Sequence, residues 1–433
     1  MPVYCPAILI AAPASNQGKT TVTAALARLH SNQGRRVRVF KAGPDYLDPM
    51  IHEQASRNPV DSLDLWMVGP QRCRELLYEA AQVSDLIIIE CGMGLYDGTP
   101  SSADLAREFG VPVLAVIDAR SMAQTFGALA YGLANYQRDL PFAGVLANRV
   151  GSDNHNQMLQ SSLPEGMHYF GGIPRDERMQ LPSRHLGLVQ ASEVAELEQM
   201  LEQGAAVLEE AGITRLPEAV EFSAPESTWS IDKRIDGLRI GLACDAAFSF
   251  IYPRNRSCLE VMGAELVEFS PLSDAGVPEV DALWFPGGYP ELHIEALGEN
   301  SSMLRSVANF CDSGKPVLAE CGGMLYLTRT LSRDEVSAQL CNVLPADARL
   351  EKRLQGLGLQ YVDWPEGQLR GHTFHHSSMN DHGLCRLSQA VRQKNGQPGE
   401  WFYQYKGLRA SYLHLYFESA PGTIATFFST PHP

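Results

Sequence analysis

Two stretches of this 433-residue chain hold side chains whose types and spacing can do chemistry. The first is Ser15-Asn16-Gln17-Gly18-Lys19-Thr20-Thr21, which follows the apolar run Ala7–Ala12 and opens a helical segment. A tight loop between a strand and a helix aims backbone N–H groups and the positive helix end at phosphate oxygens. Lys19 would then reach the terminal phosphates, and the Thr20 hydroxyl would sit on Mg²⁺. Pro13 stands where the usual pattern has its first glycine, so the match rests on the order strand, Gly-Lys-Thr-Thr, helix. The second stretch is Glu320-Cys321-Gly322-Gly323-Met324, after the strand-like run Lys315–Ala319. A nucleophile at a sharp strand-to-helix turn is exposed, and the next backbone N–H groups point at a developing oxyanion.

Mg²⁺ takes hard oxygen ligands, usually one or two carboxylates beside phosphates and water. In an open α/β sheet these belong at the carboxyl ends of strands. Glu90 ends the run Asp85–Glu90, and Asp45 follows the strand Arg36–Phe40 in Gly43-Pro44-Asp45-Tyr46-Leu47-Asp48-Pro49. Either carboxylate can instead cap a helix. Asp97, before Gly98, is first of all a turn residue. Asn148 ends the run Phe142–Val150, where its amide either reads the purine edge of the nucleotide or makes a strand-end hydrogen bond.

A free thiol with a pKa near ~8.5 is only roughly 3% ionised at neutral pH, so Cys321 needs a base or a helix N-terminus. His414 lies in an alternating apolar segment and is either that base or an ordinary strand histidine. His372, His375 and His376 are rivals, and without paired Cys or acidic ligands at suitable spacing they do not make a convincing metal site. Pro286-Gly287-Gly288-Tyr289-Pro290-Glu291 follows another buried run, so the Gly288 N–H joins that of Gly322 as an oxyanion donor, unless the segment is a plain Pro-Gly turn.

These groups need rigid elements behind them. Ala7–Ala12, Arg36–Phe40, Asp85–Glu90, Val111–Asp118 and Phe142–Val150 are too continuously apolar for strands with one wet face, and Thr20–His30, Gln71–Gln82 and Met122–Tyr136 read as helices between them. Such alternation predicts a parallel sheet covered on both faces. Residues 193–236 show no strand signal and look like a boundary. A second α/β series then runs through Leu238, Ala264–Phe269, Asp281–Phe285 and Lys315–Glu320. The fold class is therefore α/β with two α/β domains, at 1–220 and 237–433, joined by a linker at 221–236.

Lys plus Arg number 35 against 50 for Asp plus Glu, a formal charge of −15, which argues against broad binding of nucleic acid or anionic lipid. The nine scattered cysteines, without a CxxC pair, fit a reducing cytoplasm. Val3–Ala14 lacks the basic leader of a signal peptide, and no apolar run approaches the ~20 residues of a membrane helix. A cytoplasmic protein that acts on small molecules is expected, and a homodimer is among the assemblies open to it.

Nearly the whole chain resembles the cobyrinate a,c-diamide synthase family, glutamine-dependent amidoligases of corrinoid biosynthesis. AAPASNQGKTTVT, KAGPDYLDP, MGLYDG, ANRVGS, LPSRHLGLVQA, PGGYPELH, AECGGMLYL and GHTFHHS occur in the family's order. The N-terminal part is similar to dethiobiotin synthetase-like P-loop enzymes and the C-terminal part to class I glutamine amidotransferases. The resemblance implies that the first domain binds MgATP and phosphorylates corrin carboxylates, while Cys321 and His414 release ammonia from glutamine. It implies phosphate and Mg²⁺ binding by Lys19 and Thr20, with Asp45 and Glu90 as the carboxylates on the metal. It places Tyr46, Leu47, Asp48 and Asp97 at the corrin site, with Arg149, Arg175, Arg184 and His185 making it locally basic unless they form surface ion pairs.

Class I amidotransferases usually carry His-x-Glu, whereas Leu415 and Tyr416 follow His414 here, so a Cys-His dyad or an acid from another segment is expected. Cys91-Gly92-Met93 after Glu90 replaces the commoner Gly-Val-Met, and Thr373 stands where many relatives have Glu. The resemblance implies cobyrinate or hydrogenobyrinate as the substrate, with Ni-sirohydrochlorin as an alternative. Two readings from other classes are weaker. A partition-type P-loop ATPase leaves the cysteine elbow unexplained, and a free-standing cysteine hydrolase leaves the phosphate loop unexplained.

Overall fold

A computed structural model describes residues 1–179, 196–225 and 229–429, which divide into two units, Met1–Trp229 and Ser230–Pro433. The first unit begins with β1 (Val3–Ala11), whose last five residues are all buried, so both faces are covered. It continues through α1 (Lys19–Asn32), β2 (Val37–Ala42), α2 (Leu47–Ser56), β3 (Asp61–Leu63), α3 (Pro70–Val83) and β4 (Leu86–Glu90). Then come α4 (Ser102–Phe109), β5 (Val113–Asp118), α5 (Thr125–Asn135), β6 (Phe142–Val150), α6 (Asp153–Ser161), β7 (Tyr169–Pro174), α7 (Leu197–Glu210) and β8 (Ala219–Phe222). The strand order is β3-β2-β4-β1-β5-β6-β7 with every neighbour parallel. The connections reverse direction at β1, which opens a crevice at the carboxyl edge there.

Helix boundaries follow local chemistry. Pro70 opens α3, and α4 starts with a capping box in which Ser101 and Asp104 satisfy each other's backbone N–H. Ile8, Ile10, Val39, Ile88 and Val116 on one sheet face pack with Val22, Leu26 and Leu29 of α1 and Leu201 and Leu208 of α7. Each such fully buried Leu or Ile is worth about 2 kcal/mol, which fixes α1 firmly behind the loop that precedes it.

Residues 193–236 do contain a strand, contrary to expectation: β8 pairs antiparallel with the start of β1, Val3 opposite Phe222 and Pro6 opposite Ala219. Its four residues alternate exposed and buried, too short a signal to register in the sequence. The first unit therefore runs past residue 220. Its last residue, Trp229, receives the Arg72 guanidinium 4.5 Å from its ring centroid and donates its backbone N–H to Glu75.

The second unit opens as the sequence suggests, with β9 (Arg239–Ala243), α8 (Pro253–Val261), β10 (Glu265–Phe269), β11 (Ala282–Phe285), α9 (Ile294–Glu299), α10 (Ser301–Asp312), β12 (Val317–Glu320) and α11 (Gly322–Tyr326). Beyond α11 the chain departs from a simple α/β series. It forms β13 (Thr328–Arg333), β14 (Val336–Gln339), β15 (Leu344–Leu350), β16 (Gly356–Trp364), β17 (Gly367–His375), β18 (Ser377–Asp381), β19 (Cys385–Arg392), β20 (Pro398–Tyr405), β21 (Leu408–Ser411), β22 (His414–Tyr416) and α12 (Pro421–Ser429). The main sheet runs β10-β9-β11-β12-β21-β20-β19-β16-β17-β22, parallel through β21 and antiparallel beyond it. A smaller sheet, β14-β13-β15-β18, packs its Leu331, Leu344 and Ala346 into the same core as Phe285, Met324 and Tyr326.

Candidate functional sites

Because the first sheet is parallel, the ends of β1, β2, β4, β5 and β6 all reach one edge, and the phosphate loop lies there. Gly18 adopts φ +94°, and a Cβ on it would sit 2.2 Å from Asn148 Nδ2, so only glycine fits. Ser15 and Asn16 are exposed, Gln17, Gly18, Thr20 and Thr21 are partly buried, and Lys19 is buried. The Lys19 ammonium donates back to the Ala14 carbonyl at 3.2 Å, and burial lowers its pKa. Asn148 makes the strand-end hydrogen bond: its Nδ2 donates to Gln17 O and its Oδ1 accepts from Arg149 N, each at 2.9 Å. The amide thus props the loop itself.

The Thr20 hydroxyl donates to Glu90 Oε1 at 2.8 Å. Glu90 Oε2 meets His52 Nε2 and, at 3.1 Å, the ammonium of Lys41. Lys41 in turn contacts Asp48 and lies 3.5 Å from Asp45. Burial works against charge on both Glu90 and Lys41, yet each charge sustains the other. Lys41 and His52 hold the Glu90 carboxyl at about 2, and Asp48, Glu90 and Asp45 hold the ammonium well above its usual value. Burial and the charge of Asp45 push Asp48 up to about 6 against the pull of Lys41.

Asp45 also acts as a helix cap, its Oδ1 accepting from Leu47 N at 2.9 Å and Asp48 N at 3.3 Å. Tyr46 is half-buried and Leu47 buried on the first turn of α2. Asp97 closes a turn: its Oδ2 accepts from Gly94 N at 3.1 Å, while Leu95 N donates to Ala12 O and so holds that turn to the loop. Arg149 is paired with Asp118 at 2.6 Å and Arg120 with the same carboxylate at 2.8 Å, so Arg149 is no free member of a basic face. Arg120, Arg149 and Arg175 line a cavity of about 320 Å³, with Asp176 as an acid among them. Arg184 and His185 lie outside the described residues.

Among the described residues no group of three or more His, Cys, Asp and Glu is arranged to hold a metal ion. The Thr20–Glu90 pair nevertheless suits Mg²⁺, which takes few protein oxygens and completes its shell with phosphate and water. Asp45 is less available, since one oxygen is the cap and the other faces Lys41. Sequence reasoning passed over Lys41, His52 and Asp118. The signal was there for Lys41 and Asp118, charged residues near the carboxyl ends of largely apolar strands.

In the second unit, β11, β12 and β21 are parallel neighbours, so the turns after them converge. Cys321 follows β12 with φ 44° and ψ −109°, a strained conformation held by its N–H donating to Ser411 O at 2.7 Å. A Cβ on Gly322 would lie 3.0 Å from Gly288 N and 2.8 Å from Pro290, so the elbow and the Pro-Gly-Gly turn touch through backbone. Gly287 packs equally closely on the His414 ring, where a Cβ would meet Cε1 at 2.1 Å. Cysteine, histidine and the glycine N–H groups thus share one small space. Burial pushes the Cys321 thiol up, with the charges of Glu291 and Glu400 adding to it. Burial and the neighbouring His372 and His375 drive the His414 imidazolium well below its usual range, which keeps the ring neutral.

The other histidines belong to the walls. His372 stacks on His414 at 5.0 Å and meets the Tyr252 hydroxyl through Nδ1 at 3.2 Å. His375 stacks on Tyr412 at 3.7 Å and lies 3.3 Å from Glu400, to which Thr373 also donates. Two buried acids near Cys321 went unnoticed in the sequence: burial raises Glu291 to about 7 and Glu320 to about 8.

A parallel-sheet unit with a phosphate loop, followed in one chain by a strained cysteine elbow beside a neutral histidine, defines the two-domain, glutamine-dependent ligases that form C–N bonds. Residues 8–189 match the CobQ/CobB/MinD/ParA nucleotide binding domain, and residues 239–422 match the CobB/CobQ-like glutamine amidotransferase domain. A protein of Stutzerimonas stutzeri named hydrogenobyrinate a,c-diamide synthase is 56% identical over 96% of this chain and 97% of its own length. One of the same name from Pseudomonas aeruginosa is 54% identical over 98% of both chains. A cobyrinate a,c-diamide synthase of Herminiimonas arsenicoxydans is 44% identical over 98% of this chain and 96% of its own. The chain belongs to the family of hydrogenobyrinate and cobyrinate a,c-diamide synthases.

Proposed function

We propose that this chain amidates the a and c carboxylates of hydrogenobyrinate, a step of cobalamin biosynthesis, using ATP and glutamine in the cytoplasm. Two relatives that share more than half their residues with it carry that substrate in their names. The observation that supports glutamine chemistry most directly is the Cys321 elbow seated against Gly288 and His414, which a nucleotide switch would not need.

In the first unit the backbone N–H groups of residues 15–20 and the Lys19 ammonium bind the phosphates, and Asn148 holds the loop in shape. Thr20 and Glu90 would hold Mg²⁺, which would supply charge neutralisation at the transferring phosphoryl group. The substrate carboxylate oxygen bonds to the γ-phosphorus as the bond to ADP breaks, giving an acyl phosphate. Lys41, Asp45 and Asp48 face that reaction as a fixed charge cluster, with Tyr46, Leu47 and Asp97 on the corrin side.

In the second unit His414, neutral because it is buried, takes the thiol proton as Cys321 attacks the glutamine amide carbon. The Gly288 and Gly322 N–H groups hold the oxyanion. The proton passes to the departing ammonia, and water then cleaves the thioester to glutamate. Ammonia displaces phosphate from the acyl phosphate, and a second round completes the diamide.

The test is a mass-spectrometric end-point assay with MgATP, glutamine and either hydrogenobyrinate or cobyrinate. A product carrying two amides is expected, with faster turnover of hydrogenobyrinate, and a Cys321→Ala variant should work from ammonia but not glutamine. ATP-dependent glutaminase activity without amidation of either corrinoid would move the substrate elsewhere, with Ni-sirohydrochlorin tried next.

A further inference from the structure

The strand that carries His414 is an edge strand secured by side chains. β22 is the last strand of its sheet, and β17 pairs with it only on one side, His372 opposite His414 and Gly371 opposite Leu415. The backbone groups of Leu415 point the other way, where no strand lies alongside among the described residues. Leu415 N donates to Glu320 Oε1 at 2.6 Å, and Leu415 O accepts from Asn255 Nδ2 at 2.7 Å. Asn255 Oδ1 then accepts from Phe417 N at 2.8 Å. Both side chains are buried, Asn255 to 2% exposure and Glu320 to 3%. The second oxygen of Glu320 accepts from Trp284 Nε1 at 2.7 Å, so the carboxyl group is held at both ends.

Glu320 immediately precedes the nucleophile. One residue therefore joins the cysteine elbow to the backbone next to the histidine, in a chain that has Tyr416 where an acid two residues after the histidine would stand. The Tyr416 hydroxyl is itself tied to Glu418 at 3.2 Å. Catalytic histidines are usually oriented by a third group, commonly a carboxylate on the ring.

We propose that Glu320 is the positioning residue of this amidotransferase site, setting the distance between Cys321 and His414 through the Leu415 N–H. The proposal rests on the reading of Cys321 and His414 as nucleophile and base. Glu320→Gln has an amide nitrogen that must face one of two N–H donors, so one of the contacts becomes a donor-donor clash. Removing the indole N–H with Trp284→Phe relieves that clash, and the amide oxygen can again accept from Leu415.

The experiment measures glutamine hydrolysis for Glu320→Gln, Trp284→Phe and the double variant, with melting curves of each. Expected are a kcat about 30-fold lower for Glu320→Gln at a nearly unchanged KM for glutamine, near-normal kcat for Trp284→Phe, and recovery to within a few-fold in the double variant. A folded Glu320→Gln with normal kcat would overturn the proposal. So would a double variant no faster than Glu320→Gln, since a role in folding alone predicts further damage rather than rescue. Hydrolysis that survives Cys321→Ala, run in parallel, would instead remove the nucleophile itself and the proposal with it.

Discussion

The Thr20 hydroxyl, on the second residue of α1, donates to Glu90 at the end of β4 across 2.8 Å. That bond fastens the phosphate loop to a fully buried carboxylate on its edge of the sheet. Glu90 pays a large desolvation penalty and remains ionised because Lys41, His52 and Thr20 surround it.

Its carboxyl is held at about 2 against an ordinary 4.5. A depressed acid stabilises the fold above its unfolded pKa, and that stability drains away as pH falls from about 4.5 towards 2. The difference corresponds to roughly 3 kcal/mol. Acid titration of the melting midpoint should therefore be steeper for the native chain than for Glu90→Gln over that window. The same variant should lower ammonia-driven amidation at least ~100-fold, the usual effect of deleting one fixed electrostatic partner. Parallel acid slopes would show that Glu90 carries no such charge.

Gly322→Ala separates the two half-reactions. The new methyl would lie 3.0 Å from the Gly288 backbone and 2.8 Å from Pro290 Cδ, and neither neighbour is a flexible side-chain end. The Pro-Gly-Gly turn must move, taking the Gly288 N–H away from the oxyanion position. Glutamine-driven turnover is expected to fall about 100-fold or more while ammonia-driven turnover continues. Equal loss with both nitrogen donors would mean the substitution unfolds the chain.

Much of the fold and of both sites was legible in the sequence. Phe142–Val150 coincides with β6, and β4 and β5 lie within their predicted runs, because strands buried on both faces need unbroken apolar stretches. The phosphate loop and the cysteine elbow were found because local chemistry dictates their spacing. The antiparallel half of the second sheet was not, since strands such as Gly356–Trp364 mix glycine, charge and partial burial. Glu320 as a partner of Leu415 was beyond reach, because 95 residues separate them and only the fold brings them together.

Glu291 gives a pH-dependent test at the thiol. It is the strongest charge acting on Cys321 after burial, and its own carboxyl is raised to about 7. Below pH 7 it is mostly neutral and has little effect; above pH 7 it is ionised and disfavours the thiolate. Glu291→Gln should accordingly lower the thiol pKa and speed Cys321 alkylation by iodoacetamide about three- to tenfold at pH 8–9, with little change at pH 6. A rate ratio independent of pH would assign the effect to packing. A raised acid also favours folding below its unfolded pKa and loses that contribution as pH climbs through 7, so the variant should resist alkaline destabilisation better.

Lys41 tests whether the charge cluster is structural or chemical. Its side chain is 1% exposed, with Asp45, Asp48 and Glu90 all in contact range. Lys41→Met keeps the length and apolar stem and leaves the three carboxylates without their cation. Breaking a buried pair of this kind costs about 3–5 kcal/mol, so the melting midpoint should drop, and Asp48, already near 6, should take up a proton. That protonation offers a way to separate the roles. Lys41→Met combined with Asp48→Asn restores part of the charge balance and should recover stability. If Lys41 serves only the fold, amidation returns with stability; if its ammonium faces the transferring phosphoryl group, the double variant is stable and still slow by two orders of magnitude or so. Measuring the melt and ammonia-driven turnover on the same preparations decides between them.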